Sequence, residues 1–220
     1  MRDRLLIWRC PDDCRIKETE RKDKPLTDTA LSTLLADVRA CSACAQTLPA
    51  GPRPVLQAAA DARILIAGQA PGRKVHESGI PFDDASGDRL RDWMGITRDT
   101  FYDPSYIAIL PMGFCYPGTG KSGDLPPRPE CATLWRRQLL DLLPNIELTL
   151  VIGGYAMDWH LPARREKNLT DTVRNWRAYP DSILPLPHPS PRNNIWLKKN
   201  PWFDVELLPV LRHRVRALTH

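Results

Sequence analysis

Ile64-Leu65-Ile66-Ala67-Gly68-Gln69-Ala70-Pro71-Gly72 is a short apolar run that breaks without a spacer into a Gly/Pro turn. An uninterrupted apolar run bounded by turn residues reads as a strand buried on both faces, as in a parallel sheet. A second junction of this kind comes late in the chain, where Leu186 leads into Pro187-His188-Pro189-Ser190-Pro191-Arg192-Asn193. Ligands of open parallel sheets bind beyond the carboxyl ends of the strands. Two such junctions, one carrying a lone His, predict a single site along one edge of one sheet.

Outward from these junctions, the chain alternates strand and helix signals. Apolar runs at 63–67, 106–110, 148–152 and 183–186 predict four strands. The spacing of Leu31, Leu34, Leu35 and Val38 predicts a helix over 29–40. Ser86 reads as the N-cap of a helix carrying Leu90, Trp93 and Met94. Pro and Glu open an amphipathic helix over 129–143. A short helix after Gly153-Gly154 and further helices over 168–176 and 205–218 complete the set. Strands alternating with helices predict an α/β protein: one domain over 29–220, a central parallel four-stranded sheet flanked by helices. Residues 1–28 are charged and irregular and read as a loosely ordered extension.

Composition bounds the function. Of 220 residues, 42% are hydrophobic, enough for a core, and 31 Lys+Arg against 26 Asp+Glu leave a net charge of +5. That balance suits a partner rich in phosphate, and it equally suits an ordinary basic protein. No apolar run approaches the roughly 18 residues of a membrane helix, and the start of the chain lacks the apolar core of a signal peptide. The expectation is a cytoplasmic monomer without membrane contact. Six Cys in that compartment read as free thiols or as metal or cluster ligands.

Four groups of residues carry chemistry. In Gly68-Gln69-Ala70-Pro71-Gly72 the glycines allow close backbone approach to a ligand, the alternative being a tight turn that binds nothing. Phe82-Asp83-Asp84 precedes a helix start; the aromatic can stack a planar base and a carboxylate can position water, or the acids can serve only as cap and dipole partners. His188, Ser190, Arg192 and Asn193 sit beyond a strand end. Behind them, Lys198 and Lys199 interleave with Trp196 and Trp202, which suits a DNA-contacting loop or a solvated helix face anchored by Trp. Cys41-x-x-Cys44 with Cys115 and Cys131, which flank a Pro-rich loop, makes a four-thiol set for a cluster or zinc. Cys10 and Cys14 read as incidental.

Together these motifs resemble the uracil-DNA glycosylase superfamily, in its iron–sulfur branch, families 4 and 5, over about residues 31–216. The resemblance implies a [4Fe-4S] cluster on Cys41, Cys44, Cys115 and Cys131, with zinc as the lesser alternative. It implies DNA containing uracil or another deaminated base as the partner, and hydrolysis of the N-glycosidic bond. It assigns Gly68, Gln69, Ala70, Pro71 and Gly72 to the base and water, Phe82 to stacking, and His188 to stabilising the departing base. Arg192 takes the position of a Leu wedge found in another branch. Family 4 places a Glu at the position of Gln69, and a further branch places an Asp at that of Ala70; neither acid is present here. Asp84-Ala85-Ser86-Gly87 matches the family 5 segment holding the water-activating Asp, so Asp84 is the expected base and Asp83 the reserve. Residues 106–113 carry no Asn of the kind that reads uracil in family 4. Loss of both first-turn acids also fits a non-catalytic binder of uracil-containing or single-stranded DNA.

Overall fold

A computed structural model describes residues 24–220 apart from Ser122. Cys10, Cys14 and residues 1–23 of the expected extension lie outside the described residues. The helix expected at 29 is α1 (Lys24–Arg39), which begins inside the stretch read as extension.

Four strands, β1 (Ile64–Ala67), β2 (Ile107–Ile109), β5 (Leu148–Ile152) and β6 (Ile183–Leu186), form one sheet in the order β2-β1-β5-β6. Every pairing is parallel, with Ile66 opposite Ile109 and Leu150, and Ile152 opposite Leu186. The chain leaves β1 towards β2 on one side and returns to β5 on the other. The strand order therefore reverses between β1 and β5, where a crevice opens at the carboxyl edge.

Side chains alternate across the sheet. Ile64, Ile66, Ile107 and Ile109 pack on one face with Leu90, Trp93, Phe203 and Leu211. Leu65 and Ala108 pack on the other with Leu31, Leu35, Val38 and Leu139. The first face is covered by α3 (Ala85–Met94), α7 (Gly154–His160), α8 (Leu169–Arg174) and α10 (Leu208–Leu218), the second by α1 and the helical run from Pro129 to Asp141. Short helices α2 (Arg73–Ser78) and α4 (Arg98–Tyr102) follow the first turn and α3, and α9 (Asn194–Lys199) follows the second.

Several boundaries differ from expectation. The run expected at 129–143 consists of α5 (Pro129–Cys131), a π turn over Ala132–Arg136 and α6 (Arg137–Asp141). The closing helix is likewise preceded by a π turn over Phe203–Leu207. A hairpin of two short strands, β3 (Thr119–Gly120) and β4 (Gly123–Asp124), stands in the Pro-rich loop, where periodicity offered no signal. Among the described residues no helix is long and apolar enough to cross a membrane.

Candidate active site

At the carboxyl edge lies a cavity of about 420 Å³. That falls within the roughly 300–1,000 Å³ of small-ligand pockets, so it admits one nucleoside and not a duplex. It is lined by Gly68, Gln69, Ala70, Pro71 and Gly72 from the turn after β1, and by Phe82 and Asp84 from the loop before α3. His188, Ser190, Arg192 and Asn193 line it from the loop after β6. Pro111, following β2, and Asp124, on the hairpin, complete the wall. Residues scattered over more than 120 positions meet because parallel strands deliver their carboxyl ends to one edge.

The loop before α3 is held by local chemistry. Asp84 caps the helix, its Oδ1 accepting from the Gly87 amide at 2.9 Å. The expected cap, Ser86, instead lies buried inside the helix. The Asp84 carboxylate satisfies a free amide as a Ser hydroxyl would, two residues earlier than expected. Phe82 adopts φ +55°, a left-handed conformation unusual for a bulky residue. The buried Arg91 donates to its carbonyl at 3.4 Å, and Tyr102 donates to the Pro81 carbonyl at 3.0 Å. Phe101 packs edge-on against the Phe82 ring with centroids 6.1 Å apart. The ring therefore has a set orientation on the cavity wall. Asp83 is not brought into the cavity; its Oδ1 accepts from Arg98 at 2.8 Å, and that guanidinium holds its carboxyl below the usual carboxylate value.

The loop after β6 folds over His188. The Ser190 amide donates to His188 Nδ1 at 3.2 Å, so the neutral ring carries its proton on Nε2. Asn193 Nδ2 donates to the His188 carbonyl at 2.7 Å, and Arg89 of α3 clamps the loop through the Ser190 carbonyl and Asn194 Oδ1. Burial pushes the imidazole below its ordinary value, while the Asp84 and Asp124 carboxylates pull it partway back. His188 is thus a neutral donor at neutral pH. Arg192 is exposed and its guanidinium lies against Gly123 of the hairpin, closing one side of the mouth. Behind the loop, Trp196 donates to Thr170 Oγ1 at 2.8 Å and packs edge-on against Trp202 and Phe203. The two Trp anchor α9, leaving Lys198 and Lys199 exposed.

The four expected thiols also meet. Cys41, Cys44, Cys115 and Cys131 line one small cavity with Val38, Leu48, Pro54, Phe114 and Trp135. The Phe114 amide lies 3.5 Å from Cys131 Sγ and donates to it. Burial pushes the Cys115 thiol up to about 11 and raises Cys131 as well, and the charges of neighbouring thiols add to the rise. Among the described residues, no three His, Cys, Asp or Glu side chains are grouped closely enough to hold a single metal ion.

Asp124 is the charged cavity residue that sequence reading missed. It follows Gly123 in a loop without periodicity, and its only signal was a carboxylate in a Gly-rich turn between two of the Cys. The sheet order, the turn after β1 and the His-bearing loop after β6 agree with a further finding: the profile of the Uracil DNA glycosylase superfamily matches residues 56–212. That match covers most of the chain, including every residue of the cavity except Val55, and the protein belongs to the Uracil DNA glycosylase superfamily.

Proposed function

We propose that the protein hydrolyses the N-glycosidic bond of uracil, or of another deaminated base, in DNA and leaves an abasic site for base excision repair. Superfamily membership supports glycosylase chemistry on DNA in general. The observation that carries the finer reading is the meeting, in one base-sized cavity, of an oriented aromatic ring (Phe82), a neutral His donor (His188) and a carboxylate (Asp84).

The base must first leave the stack, at a cost of a few kcal/mol. Exposed apolar side chains suited to intrude beside it stand near the cavity: Ile80 next to Pro81, Leu125 next to Asp124, and Ile195 two residues after Asn193. Phe82 then stacks on the extruded ring. The C1′–N bond breaks with its electron pair passing to the base, and His188 Nε2–H donates to the anion that develops there. Asp84 Oδ1 is committed to the helix cap, so its Oδ2 orients the water. The water oxygen bonds C1′, its proton passes to the carboxylate, and the base nitrogen is protonated in turn.

The four thiols fit a [4Fe-4S] cluster. The cavity is apolar, the sulfurs ring it, and an amide already donates to one of them. Cys41 and Cys44 after α1, Cys115 after β2 and Cys131 at the end of α5 would hold the cluster, which would tie these segments together. The chain supplies the rest, since residues 111–115 run from the base cavity to Cys115.

The test is an oligonucleotide with one uracil, incubated with protein and then treated with alkali to cleave abasic sites. Strand cleavage at the uracil, lost in Asp84→Ala, is expected. Tight binding without base release would replace the enzyme with a binder. Iron analysis of anaerobically purified protein checks the cluster, and its loss in Cys115→Ser is expected.

A further inference from the structure

The first turn lacks an acid at both positions where relatives in the superfamily carry one, yet the space above it is not free of carboxylate. Asp124 Oδ2 lies 3.5 Å from where a Cβ on Gly72 would sit. Asp124 thus reaches over the turn from the hairpin, and it lines the same cavity as Asp84 and His188.

Its placement is built. Gln69, in the first turn, donates through Nε2 to the Leu125 carbonyl at 3.2 Å. The residue that replaces an acid therefore ties down the neighbour of another acid. The Leu125 amide donates to the Gly118 carbonyl at 2.8 Å, and Asp124 pairs across the hairpin with Thr119. Thr119 Oγ1 lies 3.4 Å from Asp124 Oδ1, and Tyr116 meets Thr119 from below. On the far side, the Arg192 guanidinium packs on Gly123, whose φ of +139° favours glycine. Among the described residues Asp124 forms no ion pair, and it lines the cavity beside Arg192. Asp124 shares the cavity wall with His188.

We infer that Asp124 is a second catalytic carboxylate, supplied by the hairpin in place of the acid missing from the first turn, and that Gln69 is its positioning residue. The inference rests on the glycosylase reading. As the C1′–N bond breaks, positive charge gathers on the sugar. Asp84, with one oxygen in the helix cap, orients the water; Asp124, above the first turn, stabilises the cationic sugar. No atom is transferred to Asp124.

Single-turnover kinetics on a uracil-containing strand test it, with thermal melting alongside. Asp124→Asn should lower kcat about 10²-fold, the scale of one well-placed electrostatic contact, with KM and Tm close to those of the unaltered protein. Formate added to Asp124→Ala should restore part of the rate, which a purely structural role would not allow. Gln69→Ala should lower kcat in the same direction by less. If Asp124→Asn keeps kcat within threefold, or only KM rises, Asp124 is a DNA contact and the inference is overturned while the glycosylase reading stands. If the unaltered protein releases no base from uracil, hypoxanthine or xanthine strands, both fall together.

Discussion

His188 shows how much one residue's surroundings decide. A single His in a Pro-rich loop has no role legible in itself. Here the Ser190 amide occupies Nδ1, burial keeps the ring neutral, and Nε2–H is left to donate. Removing such a donor costs about 10²–10³-fold in rate, and that loss is expected for His188→Ala; retention of a tenth of the activity would take His188 out of the reaction. Protonation would also break the Ser190 contact. Because burial holds the pKa below the ordinary imidazole value, activity should persist as pH falls through about 6.5 and fail only below it. A rate–pH profile whose acid limb lies above that value would contradict the neutral-donor reading. His188 could be picked out from the sequence because it follows a strand directly. Asp124 could not, because it reaches the cavity from a loop whose path no periodicity encodes.

The critical element is the start of α3. Asp84 ends the preceding loop, caps the helix and faces the cavity at once, so helix geometry sets the placement of the carboxylate. Three residues on, Gly87 packs directly under the Phe82 backbone: a Cβ there would collide with the Phe82 carbonyl oxygen and lie 2.7 Å from its carbon. Gly87→Ala should therefore displace the Phe82 loop, cost about 1–3 kcal/mol through overpacking, and lower base release at least tenfold. Urea denaturation and the cleavage assay together check this; a variant of unchanged stability and rate would mean the loop yields freely. The match to a Gly-bearing segment was visible in the sequence. The reason the glycine is needed was not, since it lies in the left-handed turn at Phe82 and the close approach that turn creates.

Across the whole molecule, the sheet divides two cores, and Arg136 buries a charge at their edge. Arg136 is fully buried in the π turn, donating to the Leu110 and Pro111 carbonyls at 2.9 and 3.0 Å and contacting His160 Nε2 at 2.7 Å. It carries no carboxylate partner among the described residues, and its guanidinium packs over the Trp159 ring. His160 must then accept from the guanidinium and stay neutral, and burial, aided by Arg136, lowers its pKa to about 3. The sign follows from linkage. Between about 6.5 and 3 the unfolded chain binds a proton at this His that the folded protein refuses, so stability falls as pH falls through that window. The loss from His160 alone should approach 2 kcal/mol by pH 5. His160→Gln, which keeps an acceptor without a titrating ring, should flatten the decline in denaturation midpoints between pH 7 and 5; an equally steep decline would place the acid sensitivity elsewhere. Pro111 lines the cavity at the carboxyl edge, so this buried cation also supports its wall.

The sequence by itself determined the architecture and most of the cavity wall. Four apolar runs too short and too continuous for anything but doubly covered strands imply a parallel sheet, and a parallel sheet must deliver the residues after its strands to one edge. Gly68–Gly72 and His188–Asn193 were therefore readable as one site, and the four Cys as one set. Only the tertiary structure decided which side chains complete the site. Asp84 rather than Asp83 faces the cavity because Arg98 draws Asp83 outward. Asp124 enters because Gln69 ties the hairpin down through Leu125. Arg136 lies in the interior because a π turn rotates it beneath the carbonyls of residues 110 and 111. These are long-range contacts made by loops and irregular turns, whose conformations depend on partners far away in the chain and leave no repeating pattern in the local sequence.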